Sequence, residues 1–170
     1  MTSIAIKPVA HSDALDLIQA NIDSQQFHAP WVKPFTDMDG FEAWFSGLGS
    51  GSAVGMVARD TQTNGIVGVT NLSQIFRMGF QNAYLGFYGM AGYARRGLMA
   101  EAVRLTTHYA FAELGLHRLE ANIQPENAGS IALVRRIGFR KEGFSPRYLK
   151  VGGVWRDHER WALLADDMET

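Results

Sequence analysis

Residues 93–102 read Tyr-Ala-Arg-Arg-Gly-Leu-Met-Ala-Glu-Ala, a glycine-centred loop running into a helical pattern. That combination can hold an anion. A glycine lets the backbone come close to a ligand, and the unpaired N–H groups of a first helical turn, backed by the helix dipole, attract negative charge. Arg95 and Arg96 stand just before Gly97, and guanidinium forks suit phosphate oxygens. Two solvated arginines at a helix start have the same spelling. Neither nucleotide fingerprint fits: the chain has no Gly-x-x-x-x-Gly-Lys-Ser/Thr, and no Gly-x-Gly-x-x-Gly opens this helix. ATPase and dehydrogenase chemistry are therefore disfavoured, and a pyrophosphate-bearing ligand of another kind is expected. Histidines 11, 28, 108, 117 and 158 show no His-Glu-x-x-His or similar spacing, so no metal site is expected.

The elements that must position this loop follow from periodicity. Residues 3–9 form an expected first strand, and Ser12 and Asp13 can cap a helix carrying Leu15, Leu17, Ile18 and Ile22. Pro30 and Pro34 interrupt residues 24–36, which suits a binding loop as well as a connector, and a short helix is expected over 38–48. Residues 53–59 and 66–72 are expected strands joined across 60–65, where Asn64-Gly65 is a hairpin signal. Residues 82–88 supply a fourth strand just ahead of the loop. The helix over 97–114 has a polar stripe at Glu101, Arg104 and His108, offers Val103, Ala110 and Leu114 to a core, and ends at Gly115. Beyond it, Arg118, Glu120, Asn122 and Gln124 alternate with Leu119, Ala121 and Ile123, the period of a half-buried strand whose polar residues share one face. A helix over 128–137 follows, and residues 139–150 pair with 154–164 as a closing hairpin. Strands and helices in this order, with antiparallel hairpins at both ends, indicate a mixed α/β fold.

Composition narrows the class. At 170 residues and 46% hydrophobic content the chain is long and apolar enough for one domain spanning residues 1–170. A net charge of −1 gives no global attraction to nucleic acid, so no nucleic-acid partner is expected. Without cysteine there is no disulfide framework and no thiol nucleophile. No basic region followed by a long apolar run opens the chain, and no window of about 18 apolar residues occurs later. A cytoplasmic protein without a membrane partner is expected.

Several segments of the C-terminal half, taken in order, resemble the GNAT superfamily of N-acetyltransferases, and in particular its RimJ/RimL-type members. They are Tyr84-Leu-Gly-Phe-Tyr, Arg96-Gly-Leu-Met-Ala-Glu-Ala-Val, Leu116-His-Arg-Leu-Glu-Ala, Pro125-Glu-Asn-Ala-Gly-Ser, Arg136-Ile-Gly-Phe, Lys141-Glu-Gly and Trp155-Arg-Asp-His. The resemblance covers roughly residues 83–165 and implies a mostly antiparallel seven-stranded sheet flanked by helices, with two strands splayed apart around the pantetheine arm of acetyl-CoA. It implies an acceptor-side part at about 1–50 and an acetyl-CoA-binding part at about 82–140. Gly86, Phe87 and Tyr88 would lie along the pantetheine, and the main chain of Arg95, Arg96, Gly97, Leu98, Met99 and Ala100 would hold the pyrophosphate. Ala94 and Met99 depart from the family spelling Gln/Arg-x-x-Gly-x-Gly/Ala. Backbone donors tolerate that change.

Asn127 and Ser130 match the family's Asn-x-x-Ser near the thioester, although Asn127 is also a strong helix-cap type. Arg135 and Arg136 suit either the nucleotide's phosphates or a solvated helix face. Acetyl transfer needs a neutral amine and a proton for the departing thiolate. The tyrosine acid of many GNAT enzymes is Val134 here, and the glutamate base of RimL-type enzymes is Leu149. In those enzymes a serine matching Ser130 protonates the leaving thiolate, so Ser130 is the candidate acid. Glu120, on the polar face of its strand, is the candidate base acting through a water, with an ion pair to Arg118 or Arg147 as its structural alternative. His117 and His158 recur in the family pattern, where local hydrogen bonds account for them. Trp31, Tyr84 and Trp155 are the candidate acceptor-side residues. Trp155 and Trp161, at even spacing, also suit one packed sheet face. Phe27, Trp31, Phe35, Trp44 and Phe45 suit an acceptor pocket or a core. The implied acceptor is a protein N-terminal amine, with a small-molecule amine or antibiotic, or an inert acyl-CoA-binding module, as alternatives. Edge strands near the closing hairpin allow a homodimer.

Overall fold

The computed structural model describes residues 3–168. Its strands are β1 Ile4–Pro8, β2 Val54–Asp60, β3 Ile66–Phe76, β4 Asn82–Gly89, β5 Arg118–Ile123, β6 Arg140–Val151 and β7 Val154–Leu164. Its helices are α1 Ala14–Asp23, α2 Gln25–His28, α3 Met38–Ser46, α4 Leu98–Ala112 and α5 Ala128–Ile137. The strands form one seven-stranded sheet in the order β1-β2-β3-β4-β5-β7-β6, antiparallel throughout except between β4 and β5. This is the mixed α/β architecture expected from the sequence.

Helices cover both faces because the strands bury residues on both. On one face Leu17 of α1 and Phe41 of α3 are fully buried and pack with Val57 and Val69. On the other, Val103 and Ala110 of α4 and Val134 of α5 pack on Leu72, Leu85, Leu119, Ala121 and Trp161. Each fully buried Val or Leu side chain contributes about 1.5–3 kcal/mol, so this second cluster fixes α4 and α5 against the sheet. In β5, Leu119, Ala121 and Ile123 are buried while Arg118, Glu120 and Asn122 are half-buried, the alternation legible in the sequence.

The differences from expectation have local causes. Asp13 does not cap α1; its carboxylate accepts the Ala10 N–H at 2.8 Å and pairs with Arg59 at 2.8 Å. Leu15 and Ile22 face solvent, since they lie off the stripe that seals Leu17. The proline-bounded stretch holds the short helix α2. Asp37 caps α3 by accepting the Gly40 N–H at 2.7 Å. β3 runs past residue 72 to Phe76 through an irregularity at Ser73–Phe76, where Gln74 has a positive φ of 46°. Among the described residues no helix is long and apolar enough to cross a membrane.

Candidate active site

The parallel pairing of β4 with β5 is short: Asn82, Ala83 and Tyr84 face Arg118, Leu119 and Glu120, and there it stops. Beyond Tyr84, β4 keeps its β3 partner up to Gly89 but has none on the β5 side. The backbone of Gly86, Phe87 and Tyr88 therefore offers N–H and C=O groups to whatever fills the wedge, because an unpaired strand edge is a row of donors and acceptors. A Cβ added at Gly86 would meet nothing within 4 Å, so the strand borders open space there.

The loop ahead of α4 ends the wedge. Gly97 is the N-cap residue in the left-handed conformation, φ 74° and ψ 0°, and no side chain caps it. Arg95 also has a positive φ, 60°. Left-handed residues alternating along a loop turn successive N–H groups inward, an anion-binding arrangement. The first helical bond runs from Glu101 N–H to the Gly97 carbonyl at 3.2 Å, which leaves the N–H groups of Leu98, Met99 and Ala100 for a ligand. Glu101 sits in the same turn, where its charge would repel an anion. Arg104 holds that carboxylate through two hydrogen bonds of 3.0 and 2.8 Å and lowers its pKa.

Met99 departs from the small residue of the family spelling, and the sheet makes room for it. A Cβ at Gly68 would lie 2.3 Å from the Met99 sulfur and 2.5 Å from the Tyr88 carbonyl oxygen, and one at Gly89 would lie 2.8 Å from Met99 Cγ. The thioether thus occupies the space that two glycines leave on β3 and β4.

These surfaces enclose a cleft of about 570 Å³ lined by Phe87, Tyr88, Arg95, Gly97, Leu98, Met99, Ala100, Asn127, Ser130 and Arg136, with Phe27, His28 and Trp31 across from them. A smaller cavity of about 130 Å³ adjoins it where β4 and β5 part, lined by Gly86, Phe87, Asn122, Gln124, Asn127, Ser130, Trp31 and His158 among others. Phe87, Asn127, Ser130 and Trp31 belong to both.

The other candidate residues lie elsewhere. Arg96 does not line either space; its guanidinium lies 5.5 Å over the Tyr93 ring. Arg135 likewise stacks over Trp161 at 5.4 Å, whereas Arg136 lines the cleft. Glu120 accepts from Arg118 Nε at 2.9 Å, and Arg118 also binds Glu142; the Glu142 hydrogen bond first, and Glu120 after it, raise the arginine's pKa. Burial, then the neighbouring Tyr148 and Glu120, push the Tyr84 phenol pKa up. Trp155 is 58% exposed at the start of β7, while Trp161 on the same strand is buried under α5. Glu120, Tyr84 and Trp155 border neither cavity. Phe35, Trp44 and Phe45 pack beside the α1/α3 core, leaving Phe27 and Trp31 as the cleft-facing aromatics of that group. Asn127 is a cap as well as a lining residue: its Oδ1 accepts the Ser130 N–H at 3.2 Å.

His28 lines the cleft as well. Its Nε2–H donates to the Gly89 carbonyl at 2.8 Å, tying α2 to β4. Burial lowers its pKa, so the ring is neutral near pH 7. No local pattern marks it, because its partner lies 61 residues away.

Residues 4–140 match the model of the acetyltransferase (GNAT) domain. The chain belongs to the GNAT acetyltransferase family. Its relatives include the probable N-acetyltransferase YjcK of Bacillus subtilis, 42% identical over 104 residues, which is 61% of this chain and only 58% of that protein. The ribosomal protein uS5-alanine N-acetyltransferase of Escherichia coli is 32% identical over 173 residues, covering 96% of this chain and 89% of that one. Among solved structures, RimJ of Mycobacterium smegmatis in complex with CoA-disulfide superposes with a TM-score of 0.88 at 27% identity, covering 98% of this chain and 84% of that one. This GNAT chain is an N-acetyltransferase of RimJ-like kind. Among its described residues no cluster of three or more His, Cys, Asp or Glu is placed to hold a metal ion.

Proposed function

We propose that the chain transfers an acetyl group from acetyl-CoA directly to the α-amine of a protein N-terminus. The observation that carries the reading is the pair of adjoining spaces that meet at Phe87 and Ser130, one ending in the uncapped start of α4 and the other opening on the polar side of the wedge. The residues present fit the cofactor. Free N–H groups of Leu98, Met99 and Ala100 suit a pyrophosphate, the unpaired edge of Gly86–Tyr88 suits pantetheine amides, and Arg136 supplies a cation. Acetyl-CoA, when bound, supplies an activated thioester and a thiolate leaving group. Ser130, which lines both spaces, acts in this reading as the proton donor. Asn127 holds the Ser130 backbone by capping α5 and keeps its amide N–H₂ for a ligand. Trp31 also lines both spaces. Glu120, held by Arg118 and bordering neither cavity, takes no part in this reading.

The acceptor is tested by thiol release from acetyl-CoA against peptides beginning with Ala, Ser or Thr, and against polyamines, amino acids and aminoglycosides. Alanine heads the panel because the Escherichia coli relative is named for the alanine of ribosomal protein uS5. Turnover confined to peptides is the expected result. Turnover confined to a small amine would replace the acceptor, and coenzyme A binding without any turnover would leave a binding module.

A further inference from the structure

An α-ammonium with a pKa near about 8 is mostly protonated at pH 7 and must lose a proton before it attacks. Among the described residues no carboxylate lines the smaller cavity, and His158 brings to it the one imidazole, a group able to accept a proton. His158 is 3% exposed, yet its two nitrogens differ in surroundings. Nδ1 lies 2.9 Å from the Arg156 carbonyl oxygen, so it must carry the proton and donate. The neutral ring then has its lone pair on Nε2. Among the described residues that atom has no hydrogen-bond partner, and it is not sealed off, unlike the buried Oδ1 of Asn122 in the same cavity.

We propose that His158 Nε2 is the proton acceptor for the incoming ammonium. This rests on the acetyl-transfer reading and names its base. The balance is simple: R–NH₃⁺ gives one proton to Nε2, the nitrogen keeps the bonding pair as R–NH₂, and the imidazolium returns its proton to water. The Arg156 carbonyl holds the ring orientation in both states, because Nδ1 donates in both. Other charged or titratable groups on this side of the sheet include Tyr84 of β4, Arg118 and Glu120 of β5, Arg156 and Arg160 of β7, Glu142 of β6, which binds Arg118, and Tyr148 of β6, whose ring meets the His158 ring edge-on at 6.3 Å. Arg118 and Glu120 already pair, and Arg160 Nε donates to Ser145 Oγ at 3.1 Å.

His158→Asn separates the roles, since the Asn amide can still donate to the Arg156 carbonyl but has nothing at the Nε2 position. The expected results are coenzyme A affinity within about three-fold by calorimetry and kcat/KM lower by about 10²–10³-fold, within the range for loss of a general base. On the acid side, the kcat/KM limb should move up towards the amine's own pKa of about 8, because the variant can use only the amine that is already neutral. Long-range ¹H–¹⁵N spectra of the wild type, which need no acceptor, should show the Nδ1–H tautomer. An Nε2–H tautomer, or an Asn variant with unchanged rate and acid limb, overturns the proposal. A wild type that turns over no amine overturns the acetyl-transfer reading instead, and the tautomer still judges His158 by itself.

Discussion

Replacing Gly97 by Asp and by Asn separates backbone strain from charge at the anion loop. Both side chains must adopt φ 74°, a conformation that Asn and Asp tolerate better than other residues. Both have room, since nothing lies within 4 Å of a Cβ at that position. Their shapes match, so a difference in ligand affinity reports the added charge. At a separation of about 6 Å and an effective dielectric of about 20, one pair of unit charges interacts by about 3 kcal/mol. That corresponds to about a 100-fold weaker Kd for coenzyme A in the Asp variant than in the Asn variant. Calorimetric titration at low and high salt is the assay, and the gap should narrow with salt because the loop is open to solvent. Equal affinities for the two variants would show that no diphosphate sits at the start of α4. A Gly97→Ala variant, by comparison, should lose about 1 kcal/mol of stability from the left-handed backbone alone.

Three further outcomes follow from other parts of the structure. Ser130→Ala should lower kcat by ten-fold or more, on the order of the loss of an acid catalyst, while coenzyme A affinity changes only a few-fold; unchanged turnover removes Ser130 as the proton donor. Gly68→Ala should destabilise the fold by about 1–3 kcal/mol in urea unfolding, because the new methyl would stand 2.5 Å from the Tyr88 carbonyl, which cannot swing away as Met99 can. Arg118, Arg104 and Lys141 lower the pKa values of Glu142, Glu101 and Glu159 respectively, so those pairs stabilise the fold above the unfolded carboxylate pKa of about 4.3 and that stability is lost as pH falls through the lower folded values. Urea midpoints measured from pH 6 to pH 3 should therefore drop, and Arg118→Met should flatten part of that drop; an identical slope in the variant would discount the Arg118 pair.

How much of this was legible in the sequence depends on the range of the forces involved. The loop before α4 was readable because Gly97 and the helix behind it are a local matter of backbone conformation. The same holds for β5, where alternation alone gives the buried and polar faces. The arrest of β4–β5 pairing after Tyr84 came only with the family resemblance, since no residue type at 85–89 marks where a neighbouring strand departs. Glu120 had two open roles, and its Arg118 partner two residues away is the one seen. For His158 the sequence suggested a local hydrogen bond. One exists, at Nδ1, but the cavity beside the other nitrogen is built from α5, β4 and β5 and could not be read from Trp155-Arg-Asp-His. Leu15 and Ile22 show the limit in the other direction, as apolar residues that periodicity alone does not place inside or outside.

The seating of Met99 between Gly68 and Gly89 bears on how the loop meets its ligand. Because the thioether is lodged against two strands, the first turn of α4 is registered to the sheet before any anion arrives. The conformational entropy of ordering residues 95–100 is then settled when the chain folds and is not charged against each binding event. Such a preorganised cradle releases its occupant without melting, which suits an enzyme that must exchange a spent carrier for a fresh one at every turnover.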